Sequence, residues 1–124
     1  MNDTKNYQLG LLYLTHLLIS ADGIINEKEY SSLNRIKREE NIPDNVFKEF
    51  ESEIKDLKEK DIYQRGINYM SECSDELKLR AFAHLYKMSD VDGSVHVKEV
   101  RLLLYSIRAA GIEFNDVIER AKTL

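Results

Sequence analysis

One proline and five glycines among 124 residues leave few places where a helix is forced to stop. A single cysteine, Cys73, rules out an internal disulfide and suits a reducing compartment, so a cytoplasmic location is expected. A nucleophilic role for Cys73 would need a base and an oxyanion site, and its neighbours supply neither. No basic cluster is long enough for a nucleic-acid footprint. Lys55, Lys58 and Lys60 alternate with acids and read as a solvated helix face, in a chain of net charge −4. The same shortage disfavours a helix lying on a membrane surface. The apolar run at 9–19, LGLLYLTHLLI, is too short to span a bilayer and is interrupted by Thr15 and His16. Asp3 beside Lys5 spoils the positive start of a targeting signal, and no small-residue cleavage site follows. Also missing are a Gly-rich phosphate loop, a Cys/His zinc spacing and a Ser/His/Asp arrangement.

What is present leans one way. Hydrophobic residues make up 43% and charged residues 32%, with Glu, Lys, Leu and Ile frequent and no alternating strand pattern. The expectation is an all-α bundle of about seven helices in a single domain over 1–124. A first helix is expected over about 5–21, buried on most of its circumference, and Asp22-Gly23 breaks it. Asn26 is placed to cap a second helix, with Glu29 as its capping-box partner and Tyr30, Leu33 and Ile36 as its apolar stripe. Pro43 turns the chain, and Asp44 is expected to cap a third helix that buries Val46, Phe47, Phe50 and Ile54. A fourth, over about 60–72, holds Ile62, Tyr63, Ile67 and Met70. Ser74 should cap a fifth, with Leu77, Ala81, Phe82, Leu85 and Met88. After Asp92-Gly93 a sixth turns Val100, Leu103, Leu104 and Ile107 inward, and Gly111 stops it. Asn115 is expected to cap a seventh containing Val117, Ile118 and Ala121.

The chain repeats itself at a shift of seventy. Asp22, Gly23, Ile25, Lys28, Glu29 and Leu33 fall on Asp92, Gly93, Val95, Lys98, Glu99 and Leu103. Asn41 falls on Gly111, the two residue types that best accept the left-handed backbone after a helix. Two units, about 9–56 and 75–124, are thus each helix, Asp-Gly turn, helix, left-handed stop, helix.

The acids of the repeated phrase admit two readings. Glu29 and Glu99 in a first helical turn can cap free N–H groups and meet the positive end of the helix dipole. Asp22 and Asp92 close a helix, where a carboxylate costs ~0.3–1 kcal/mol unless an Asx-turn or a cation compensates it. An EF-hand loop fits at its fifth, sixth, eighth and twelfth positions, but Leu18 and Met88 occupy the first, where a hard cation requires an oxygen. Asp90 matches the third position of the second copy only, because Ser20 stands there in the first. An ordinary EF-hand is therefore excluded. Asp22, Glu29, Asp90, Asp92 and Glu99 together would offer enough oxygens for a divalent cation, calcium or magnesium rather than zinc, if the repeats face each other. His16 and His84 sit on apolar helices and read as hydrogen-bonded core histidines, and Tyr7 and Tyr13 as packing residues with wet hydroxyls.

The phrase Ala21, Asp22, Gly23, Ile25 and Glu29, recurring as Asp92, Gly93, Val95 and Glu99, resembles the mark of the TerB-like family of tellurite-resistance-associated helical domains. It is similar, too, to a domain type of certain membrane-anchored J-domain co-chaperones. The resemblance covers nearly the whole chain in length, repeat order and helix count. It implies an all-helical domain, no established catalysis, a divalent-metal site built from the repeated acids, and a role in stress response or in scaffolding at the inner face of a membrane. The second copy departs from it at Val91, where alanine is expected, and at His96 and Val97. The functional expectation is a non-enzymatic module binding a divalent cation or a protein partner through its acidic turns, without nucleic-acid binding or membrane insertion. The alternative is a purely structural protein–protein interaction module whose acids are helix caps.

Overall fold

A computed structural model describes residues 2–19, 27–92, 97–107 and 112–124. Inside its helices the side chains at 2, 3, 28, 90–92, 97, 98, 106 and 107 are not described. The described residues form seven α-helices and no strand: α1 Asn2–Ile19, α2 Glu27–Glu39, α3 Asp44–Ile54, α4 Glu59–Ser71, α5 Asp75–Asp92, α6 Val97–Ile107 and α7 Phe114–Ala121. None is long and apolar enough to cross a membrane.

The core draws on all seven helices, from Leu12 and Tyr13 of α1 through Leu33, Phe50, Ile62, Phe82 and Val100 to Val117 of α7. Helix α1 is its axis. Residues Leu11 to His16 are all buried, as a helix enclosed on most sides requires. It packs most closely on α4, and also against α2, α3 and α5. Small residues make the α1–α4 crossing tight. A Cβ added at Gly10 would come 2.9 Å from Met70 Cε, and one at Gly66 would come 2.9 Å from Leu14 Cδ2 and 3.2 Å from Tyr13 Cβ. The pairings follow the repeat: α1 lies against α2 and α3, and α5 lies against α6 and α7.

Local chemistry explains several boundaries. Ser74 Oγ accepts the N–H of Leu77 at 3.3 Å, the cap expected for α5. At the end of α2, Asn41 has φ 51°, Ile42 N–H bonds to Lys37 O at 2.9 Å and Asn41 N–H to Arg38 O at 3.3 Å, which is the Schellman arrangement. Gly111, the matching stop, lies outside the described residues.

Two expected caps are not used. Pro43 holds the N-cap position of α3 with no side-chain cap, so Asp44 is the first helical residue. Its carboxylate pairs instead with Lys37, which holds it below the usual carboxylate range. Glu113 is likewise the uncapped N-cap of α7, which places Asn115 inside the first turn. In both cases the extended residue before the helix comes one or two positions earlier than the polar residue that looked best suited.

Candidate functional site

The five acids of the repeated phrase are distributed unevenly. Asp22 lies outside the described residues, as does Asn26. Asp90 and Asp92 close α5, Asp92 as its last residue, and their side chains are not described. Glu29 falls in the first turn of α2 and Glu99 in the first turn of α6, as the spacing predicts. Their surroundings differ. Glu29 is fully buried and its Oε2 is hydrogen-bonded to Nδ1 of His16, also fully buried. Glu99 is half-buried and lines a groove. Among the described residues no three His, Cys, Asp or Glu side chains converge to hold a metal ion.

The His16–Glu29 contact ties the end of α1 to the start of α2. A second contact of the same kind ties the other end of α2. His84 of α5 places Nε2 on Glu40 Oε2 and Nδ1 3.5 Å from Glu39 Oε1. Arg80 Nε bonds the same Glu40 oxygen at 2.7 Å. Burial pushes the Glu40 carboxyl up, but the hydrogen bonds and charges of His84 and Arg80 outweigh it and leave its pKa below the ordinary range. Tyr7 is buried beside this group, and burial, reinforced by Glu40, pushes its hydroxyl above the usual phenol range.

Neither tyrosine of α1 has the wet hydroxyl expected. Tyr13 is fully buried and donates to Glu53 Oε1 at 2.6 Å, and Tyr69 donates to the same oxygen at 3.2 Å. Tyr7 faces Glu40 and Arg80 without closing a hydrogen bond of good geometry. The cause is the depth of α1: residues 7–16 are all buried, so even the amphipathic side chains in that stretch are sealed in. Cys73 is buried, and its thiol lies 3.5 Å from Tyr69 O, a packing role.

A groove of about 810 Å³ opens among the described residues. Leu17, Leu18 and Ile19 of α1, Tyr63 of α4 and Leu103 of α6 supply apolar walls. Lys58, Glu59 and Lys60 form a lip at the start of α4, and Glu99 and Leu102 form another on α6. Ile19 is the last described residue before the first Asp-Gly phrase, and Glu99 is the closing acid of the second. The flanks of the two phrases therefore share one groove. The lysines, which the sequence suggests are merely solvated, stand at its mouth. Leu102 and its neighbour Tyr105 escape a reading by apolar stripe because they lie off the inward face of α6. The signal was the run LLLY itself, one more apolar face than a surface helix needs.

Comparison with known protein families, curated proteins and solved structures finds no match to this chain.

Proposed function

We propose that the chain is a non-enzymatic, stress-response-type interaction module of TerB-like character. In this reading it takes a protein partner on the face around the groove between α1, α4 and α6. One observation carries the reading. The flanks of both Asp-Gly phrases line this groove, Leu102 on its α6 side is exposed, and Tyr105, one turn further along α6, is exposed as well. Exposed apolar side chains that continue an apolar groove are the feature by which an interaction surface is recognised. The polar clusters elsewhere support structural roles: buried His16 and His84 are each engaged by a glutamate from α2 or the residue that follows it.

A photo-crosslinking benzoylphenylalanine in place of Tyr105, irradiated in cells, tests this reading. Protein adducts that vanish when Leu102 is also changed to Asp are expected; absence of any protein adduct would overturn it. The cation reading rests on Asp22, Asp90 and Asp92 as much as on Glu29 and Glu99. Calorimetric titration with calcium, magnesium and zinc, repeated on Asp22→Asn with Asp92→Asn, decides it separately. Heat in the wild type that the double variant loses would restore a metal centre as the function.

A further inference from the structure

Three large apolar side chains are exposed among the described residues: Tyr30, Leu102 and Tyr105. Tyr30 is accounted for, since its ring leans on Phe47 with centroids 6.3 Å apart and its hydroxyl bonds Glu51. Leu102 and Tyr105 are 56% and 76% exposed and lie on successive turns of α6. Glu99 stands one turn before them. Glu99, Leu102 and Tyr105 therefore run along one side of α6 at i, i+3 and i+6.

The neighbouring groove asks for an occupant of just this kind. Its walls are aliphatic and aromatic, and on its α4 side Lys58 and Lys60 flank Glu59, which leaves that side with a net positive charge. A helix seated there needs apolar side chains a turn apart for the walls and a carboxylate near the lysines. Helix α6 presents that pattern, and it borders the groove it would fill.

We propose that this face docks a second copy of the chain, through a twofold contact in which each α6 lies over the other's groove. Leu102 and Tyr105 of one copy enter between the α1 end and Tyr63 of the other, and Glu99 of each faces Lys58 and Lys60 of the other. A twofold contact requires one patch to carry both halves of a complementary pair, and this patch does. The proposal rests on the interaction reading above and names its partner. The patch is small against the ~800 Å² per partner of a standard interface, so the association is expected to be reversible and concentration-dependent.

Sedimentation equilibrium between about 1 and 500 µM reads the expected strength range. The wild type should pass from monomer to dimer, and Leu102→Asp with Tyr105→Asp should weaken the dimer by at least about tenfold. The charge pairs supply a test independent of the apolar anchors. Lys58→Glu with Lys60→Glu should be monomeric by itself, and so should Glu99→Lys. An equimolar mixture of the two should dimerise, because one charge pair keeps its native sense and the other re-forms with inverted sign. Circular dichroism confirms that each variant is folded. A wild type that stays monomeric throughout, or a mixture that stays monomeric, overturns the proposal. Adducts at position 105 to a different protein, with a monomeric wild type, would overturn self-docking and leave the interaction module standing.

Discussion

Glu29 and Glu99 hold the same place in two copies of one phrase, yet one is sealed against His16 and the other lines a groove. Sequence spacing placed both in a first helical turn; the tertiary neighbours of that turn decided what each carboxylate does. Truncating Glu29 removes a buried carboxylate from a fully buried imidazole and opens a void beside it, so Glu29→Ala should cost about 2–4 kcal/mol in urea unfolding. Glu99→Ala, half-exposed, should cost ~0.5 kcal/mol or less. Glu40 gives a pH signature. Its folded pKa lies below the ordinary 4.5, so its stabilisation is complete above that value and is lost as pH falls through the lower folded pKa. Wild-type protein should therefore lose stability between about pH 5 and pH 3 more steeply than Glu40→Gln does, as thermal melts across that range would show. The histidines were legible as hydrogen-bonded core residues. Their partners were not, because Glu29 and Glu40 are ordinary helix acids until the fold brings α1 and α5 to them.

At the scale of elements, α1 and α4 form the tightest pair, and α2 is lightly anchored by comparison. Helix propensity alone would make Gly66→Ala stabilising by about 1 kcal/mol. The new methyl would meet Tyr13 Cβ at 3.2 Å, an atom that moves only if α1 moves, so a net loss of about 1–2 kcal/mol is expected in denaturant titrations. Helix α2 buries few apolar side chains, chiefly Leu33 and Ile36, and leans on its histidine contacts at both ends. Its amides should exchange with solvent through openings well below the global unfolding free energy, while those of α1 and α4 follow it. The apolar stripe of α3 was readable from spacing because that helix has one buried face, whereas α5 is enclosed all round at residues 81–85. Helix starts were read less well. At α3 and α7 the N-cap is Pro43 or Glu113, extended residues that supply no cap hydrogen bond, so the search for a capping side chain landed on Asp44 and Asn115.

For the whole molecule, a core fed by every helix predicts one cooperative transition, with far-ultraviolet circular dichroism and tyrosine fluorescence coinciding in urea. A second transition assigned to residues beyond α4 would show that the two repeat units fold separately. Composition and periodicity were enough for an all-helical bundle of seven, because helix formation is governed by local propensity and by the 3.6-residue spacing of apolar side chains. The left-handed stop at Asn41 was equally local. Which tyrosines are sealed, which glutamate meets which histidine, and the convergence of α1, α4 and α6 on one groove were decided only by the tertiary structure. Those outcomes depend on contacts between residues distant in the chain, and the chemical identity of a residue does not encode its distant neighbours.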